Sequence, residues 1–232
     1  MNVGAVVMAA GAGRRMGCRP KSLLTRDGEP LLLRQIRLLR QCGADAIVVV
    51  LGHHAERLQA VLAAARAAGV AGGASLAWVR NPAPDDGPGS SLRCGLAALP
   101  DELDTVLVVL GDQPLLEAGD VQAVVQAWRA RAPGIELVVP SHGGQPGHPI
   151  AFGPRLRAAV MQGQGGAGVR EWRRAHRGQV QELAMAHARH VADIDTPEDL
   201  QALARTQGIR LAWPQEEGGA ASLPGGRAQP PR

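Results

Sequence analysis

The sequence predicts a three-layer, doubly wound α/β fold with a mostly parallel, Rossmann-like sheet. Three observations carry that expectation. Val/Leu/Ile runs of five or six residues recur along the chain between turn residues, the pattern of strands buried on both faces. Amphipathic stretches alternate with them, the rhythm of a parallel sheet covered by helices. The 232 residues are 45% apolar, enough for one α/β core, but include only four tryptophans, one phenylalanine and no tyrosine. That core must therefore be Leu, Val and Ala.

Taken in order, Val3 to Ala9 reads as a buried strand, followed by the glycine loop Gly11 to Lys21 and a helix over Leu31 to Gln41. Ala46 to Leu51 (AIVVVL) is a second strand, Ala55 to Ala68 a second helix and Leu76 to Val79 a short strand. A helix over Ser90 to Ala98 opens on a serine cap, and Thr105 to Leu110 (TVLVVL) is a strongly buried strand. A helix capped by Asp120 runs to Arg131, and Glu136 to Pro140 continues the alternation. The glycine-rich stretch 142–168 is expected to hold a hairpin or lid around Pro146 to Phe152. Pro197 to Thr206 reads as the last helix, with Thr196 as its cap and Pro197 at its first position. From Pro214 the composition turns to Gly, Pro and Gln, so residues 1–213 are expected to form one domain and 214–232 a disordered tail.

Composition narrows the function classes. A net charge of +4 with scattered arginines suits anionic small molecules, and scarce aromatics leave no stacking platform for single-stranded nucleic acid. Cys18, Cys42 and Cys94 are odd in number and form no C-x-x-C pair, which argues against a disulfide framework or a structural zinc site. No apolar run is long enough to span a membrane, and the first ten residues lack a basic leader. The expectation is a soluble, cytoplasmic protein.

The loop AAGAGRRMGCRPKSLL directly follows the first strand, where phosphate-binding loops of α/β proteins belong. Gly11 and Gly13 let backbone N–H groups approach an anion, while Arg14, Arg15 and Lys21 add cationic side chains. Among 25 basic residues Lys21 is the only lysine, a compact ammonium in a chain otherwise committed to planar guanidinium forks. Two familiar glycine motifs do not fit. A Walker A loop needs G-K-[ST], but Lys21 follows Pro20. A dinucleotide fingerprint would place its third glycine at Met16 and an acidic residue at the end of the second strand, which instead reads Leu51-Gly52-His53.

Asp112 ends the strand Thr105 to Leu110 after Gly111 and before Pro114. A carboxylate at that edge suits Mg²⁺, and a turn or cap aspartate is the plainer alternative. A second carboxylate for the metal can come from Asp193, Asp195 or Asp199, just before the last helix. Ser90 and Ser91 open a helix with hydroxyls and free N–H groups that can hold a base or ribose, or merely cap the helix. Asn81, at the end of the third strand, can also touch the base, and His53 and His54 read as surface residues.

The run A-A-G-x-G-x-R-M-G-x-x-x-K-x-L-L resembles the signature of the nucleotidyltransferases, especially the molybdenum cofactor cytidylyltransferase group of MobA-like NTP transferases. The resemblance implies that Ala9, Ala10, Gly11, Gly13, Arg14 and Arg15 hold NTP phosphates, with Lys21 and Arg15 offsetting charge as pyrophosphate leaves. G-D-Q-P-L and D-I-D-T-P-E-D resemble the same family's metal motifs, implying Mg²⁺ on Asp112 and Asp195, with Asp193 and Asp199 as turn and cap residues. Gly89-Ser90-Ser91-Leu92 resembles its base-binding segment, although the first serine is Gly89 here. Gly144 to Pro149 resembles its second-substrate segment, so His148 is expected to touch a phosphate or pterin, or to be a turn histidine. Residues 163–168 (GQGGAG) depart from the family's G-D-x-G-A-R, with Gln164 and Gly168 replacing its acidic and basic residues. The resemblance further implies CTP rather than GTP as donor, since A-A-G narrows the pocket at Ala10, and a phosphorylated, molybdopterin-type acceptor. Its product would pass to a molybdoenzyme or its chaperone. Guanylyl or sugar-phosphate nucleotidyl transfer is the alternative, and a non-catalytic NTP-binding module is a third reading.

Overall fold

The computed structural model describes residues 1–163 and 168–214. Strand β1 (Val3–Ala9) leads into the glycine loop, which holds short 3₁₀ turns at Arg14–Met16 and Lys21–Leu23, and then a hairpin of β2 (Thr25–Arg26) and β3 (Glu29–Pro30). Helix α1 (Leu31–Gln41), β4 (Ala46–Leu51), α2 (Ala55–Ala67) and β5 (Ser75–Arg80) follow, then α3 (Pro88–Ala98), β6 (Thr105–Leu110) and α4 (Ala118–Arg129). The second half contains β7 (Leu137–His142), β8 (Gln145–Pro146), β9 (Ile150–Phe152), α5 (Pro154–Gln162), α6 (Val169–Ala175), β10 (Val180–Ala184), α7 (Pro197–Gln207) and β11 (Leu211–Ala212).

The main sheet runs β10-β7-β9-β6-β1-β4-β5, with β8 paired to β7. Strand β1 pairs parallel to both β4 and β6, and only β8 and β9 run antiparallel to their neighbours. The period-two alternation of β1 assigns its side chains to two layers. Val3, Ala5, Val7 and Ala9 pack with α1, α2 and α4, while Val6 packs with Val48, Val50 and the leucines of α3. Each such buried Val or Leu contributes about 1.5–3 kcal/mol relative to an exposed one. Gly95 lets α3 lie flat on the sheet, since a Cβ there would meet Val6 Cγ1 at 2.5 Å. Because β4 and β5 lie on one side of β1 and β6 on the other, the strand order reverses at β1. The crevice at its carboxyl edge is where such sheets take ligands.

A third apolar cluster joins Met16 of the glycine loop to Leu24, Leu31, Leu115, Ile194 and Leu203, tying α7 beneath the loop. Strand β11 adds to β2, extending the small sheet. Among the described residues no helix is long and apolar enough to cross a membrane.

Several local expectations change. Helix α4 is capped by Glu117, not Asp120, which sits at the third helical position and accepts from Glu117 N at 3.0 Å. Its buried carboxylate is also gripped twice by Arg189, at 2.8 Å each. Helix α3 begins at Pro88 after Gly87, whose φ of +93° suits glycine, so Ser90 lies inside the first turn. The segment around Pro146 to Phe152 takes the hairpin alternative and not the lid, with β8 pairing antiparallel to β7. Ile150, Ala151 and Phe152 are buried, and β9 inserts between β6 and β7 as an interior strand. Residues 164–167 of the glycine-rich departure, and the expected tail after Pro214, lie outside the described residues.

Candidate functional site

The loop after β1 is shaped by close backbone approach. Gly13 has φ +62°, and a Cβ there would collide with the carbonyl oxygen of Arg19, so the chain can double back only with glycine. Gly13 O accepts from Met16 N at 2.8 Å and Cys18 N at 3.0 Å. At the end of β4, Gly52 lies so close to Ala10 that a Cβ would run into its carbonyl oxygen. The two strand ends therefore meet directly beneath the loop.

His54, read from sequence as a surface residue, is half-buried with a ring nitrogen 3.0 Å from Ala12 O. His53 reaches Asp85 Oδ1 at 3.2 Å, and Arg14 reaches the same oxygen at 2.9 Å. The available signal was position, since both histidines follow the carboxyl end of a central strand.

Lys21 is the hub. Its ammonium lies 2.7 Å from Asp112 Oδ2 and 2.8 Å from Asp195 Oδ1, and Arg15 pairs with the other oxygen of Asp195. Lys21 thus meets a carboxylate 174 positions further along the chain. Burial pulls the Lys21 pKa down, but Asp112 and Asp195 outweigh it and leave the ammonium above its ordinary value. The hydrogen bond from Lys21 draws the Asp195 carboxyl below its usual range, and Arg15 adds to this. Asp195 is fixed from behind by the start of α7. Asp199 Oδ2 accepts from Asp195 N at 2.9 Å and Thr196 N at 2.7 Å, while Thr196 Oγ1 accepts from Asp199 N.

Asp193, expected to be a turn residue, lines the same cavity as Asp112 and Lys21. Burial raises its pKa, and the charges of Asp195 and Asp112 raise it further. Three carboxylates facing two cations are an acidic excess that suits a hard divalent cation, which takes one or two carboxylates and completes its shell with phosphate oxygens.

The cavity beside this cluster has a volume of 350 Å³ and reaches from Ala10, Gly11 and Lys21 past His53 to Gly87 and Ser91. Asn81 does not face it freely. The side chain is 2% exposed; its Nδ2 donates to Ser90 Oγ and Ser91 Oγ at 2.9 Å each, and its Oδ1 accepts from Ala83 N. Ser90 is further tied to Gly87 O at 2.9 Å. Asn81 and Ser90 therefore lock the start of α3 to the end of β5, and Ser91 is the serine on the cavity wall.

His148 does not join the lysine cluster. It lies in a second cavity of 460 Å³ with Ile150 and the arginines of α6, after the Gly143–Gly144 turn and before cis-Pro149. Burial, assisted by Arg173, pushes its pKa down to about 4, so the ring is neutral at pH 7. The fully buried His190 anchors this segment: its Nδ1 lies 3.0 Å from His148 O, and its own carbonyl accepts from His148 N and Gln113 Nε2. Gln113, beside Asp112, thereby connects the two cavities' walls.

Comparison with known proteins bears on this arrangement. The family model described as "MobA-like NTP transferase domain" matches residues 5–182. The bifunctional protein GlmU of Methylibium petroleiphilum is 37% identical over 123 residues, covering 53% of this chain and 25% of the relative. The chain thus spans about a quarter of the length of such curated relatives. The crystal structure of Rv0371c from Mycobacterium tuberculosis is 27% identical with a TM-score of 0.67, covering 89% of this chain and all of that one. Rv0371c has also been solved in complex with manganese. A nucleotidyl transferase from Methanothermobacter, at 23% identity and TM-score 0.68, shares the fold over 87% of this chain and 95% of its own.

Proposed function

Because the chain belongs to the MobA-like NTP transferase family, we propose that it is a nucleotidyltransferase that transfers CMP from CTP to a phosphate monoester of the molybdopterin type, acting in the cytoplasm. The observation that carries the reading is Lys21 held between Asp112 and Asp195 at the strand-order reversal. A charged ammonium, two arginines and a divalent-cation site at a glycine loop are what a triphosphate needs. A bare binding module does not require that set.

The residues act as follows. Backbone N–H groups around Gly11 and Gly13 cradle the phosphates, and Arg14 exchanges its exposed pairing with Asp85 for a phosphate oxygen. Such exposed pairs are worth about 0–1 kcal/mol, so the exchange is cheap. Asp112 and Asp195 would hold Mg²⁺, which when bound would offset negative charge on the phosphates. The manganese complex of Rv0371c supports divalent-metal use. The acceptor phosphate oxygen attacks the α-phosphorus in line, and the bond to the β-phosphate breaks with its electron pair going to pyrophosphate. Lys21 and Arg15 offset the charge that gathers on the leaving group. No covalent enzyme intermediate is needed. Ser91 lies where the ribose or base would lie, Ala10 narrows the pocket against a purine, and His148 belongs to the acceptor side. A molybdoenzyme or its chaperone would receive the product.

Sugar-phosphate nucleotidyl transfer is the second reading. A pyrophosphate-release assay with each of the four NTPs, and with molybdopterin or a sugar 1-phosphate as acceptor, separates them. Release confined to CTP with molybdopterin is expected, and equal response to all four NTPs would overturn the cytidylyl reading.

A further inference from the structure

Helix α6 places Arg170, Arg173 and Arg174 along the 460 Å³ cavity that holds His148. Among the described residues, none of these guanidiniums is in an ion pair or a side-chain hydrogen bond, whereas Arg14, Arg15, Arg34, Arg37 and Arg189 each hold a carboxylate. The one acid on α6, Glu171, is turned to the helix start, where its carboxylate accepts from Gly168 N at 2.9 Å. Three like charges on a seven-residue helix repel one another, and Glu171, acting on Arg170 and Arg174 through space, offsets them only in part, so the wall keeps a net positive charge.

The position of α6 gives this excess a use. Gly168 rests on Gly89, so closely that an added Cβ would lie 3.3 Å from the Gly89 Cα. Gly87, Pro88 and Ser91, from the same turn of α3, line the nucleotide cavity. The residue before Val169 and Arg170 of the arginine cavity thus touches the turn that opens α3 beside the nucleotide cavity. The remaining wall of the arginine cavity, with Val139, Pro146 and Ile150, is apolar. A molecule with one end at the NTP can lay an uncharged middle on that wall and place its other end among the guanidiniums.

We propose that the α6 cavity binds a second anionic group of the acceptor, so that the acceptor is anionic at both ends. The distal group is an oxyanion, which planar guanidinium forks take in bidentate fashion. His148, uncharged at pH 7, contributes a ring donor without adding a fourth positive charge. Position 168, where the related motif carries its basic residue, is glycine here, and α6 supplies the cations instead. This inference rests on the nucleotidyl-transfer reading and disfavours an acceptor with a neutral far end, such as a simple sugar 1-phosphate.

The test uses the full chain with CTP and Mg²⁺, titrated calorimetrically with glucose 1-phosphate and with glucose 1,6-bisphosphate as probes. The bisphosphate is expected to bind at least tenfold more tightly. Replacing Arg170, Arg173 and Arg174 together by alanine should erase that preference while CTP affinity stays unchanged. Equal binding of the two probes by the natural chain, or a preference that survives the triple replacement, overturns the proposal. If the triple variant melts early, the single variants Arg173→Ala and Arg174→Ala should each lose part of the preference, and no loss in either overturns it equally. Pyrophosphate release is read separately, so a chain that discriminates the probes but releases none from any NTP refutes the transfer reading alone.

Discussion

The lysine cavity and the arginine cavity are built from the same fold but balance charge in opposite ways. At the glycine loop every cation has a partner: Arg14 pairs with Asp85, Arg15 with Asp195, and Lys21 with Asp112 and Asp195. At α6, among the described residues, Arg170, Arg173 and Arg174 are in no ion pair, and Glu171 acts on Arg170 and Arg174 only through space. The first cavity rests on long parallel strands with a largely buried central strand, the second on an antiparallel insertion and a seven-residue helix. A site that must take a metal together with a polyanion profits from carboxylates and cations held in advance. A site for an anion alone needs only the cations. The difference teaches that charge balance, more than cavity size, separates the two roles.

The largest expected effect breaks the first cavity at its acid. Asp112→Ala should lower Mg²⁺-dependent pyrophosphate release about 10³-fold while circular dichroism and melting stay close to those of the natural chain, because Lys21 keeps Asp195. Undiminished turnover would remove Asp112 from the metal site. Lys21→Ala follows, with kcat expected to fall about 10²–10³-fold. Lys21→Arg should not restore it, since a planar fork cannot sit between two carboxylates as a point charge does.

Gly52→Ala tests the backbone beneath the loop. Its Cβ would strike the Ala10 carbonyl, so a destabilisation of about 1–3 kcal/mol is expected together with weaker NTP binding, read by denaturation and nucleotide titration. An unchanged nucleotide affinity would mean that the loop does not depend on this contact.

The second cavity has its own signature in pH. His148 titrates near 4 when folded, against an ordinary value of 6.5, so the unfolded chain takes up the proton first. Stability should therefore fall as pH drops from about 6.5 to about 4, and His148→Gln should reduce that fall. Parallel melting curves for the two proteins across this window would refute the assignment. The smallest effect is expected at Ser90→Ala, about 1 kcal/mol of stability with unchanged nucleotide affinity, because Ser90 braces Asn81 and Gly87.

The apolar runs of β1, β4 and β6 were legible because strands covered on both faces need unbroken apolar sequence, and their bounds agree with the structure. Strand β10 (VQELA) was not, since at the sheet's end it is only half-buried and its sequence carries polar residues. The segment holding β9 read as a hairpin or lid because three apolar residues beside glycine and proline look like a loop, and only insertion between β6 and β7 makes them core. Asn81 read as base-binding because a polar residue at a strand end suggests a ligand, and only packing shows its amide used by two serines.

By itself the sequence determined the layer order, the glycine loop and the chemical types gathered near it, because periodicity and turn chemistry are local properties. The tertiary structure alone decided that Lys21 lies between Asp112 and Asp195, that Asp193 shares their cavity, and that α6 stands next to α3. Those are contacts between residues far apart in the chain. They are fixed by how sheet and helices pack, which no single stretch of sequence encodes.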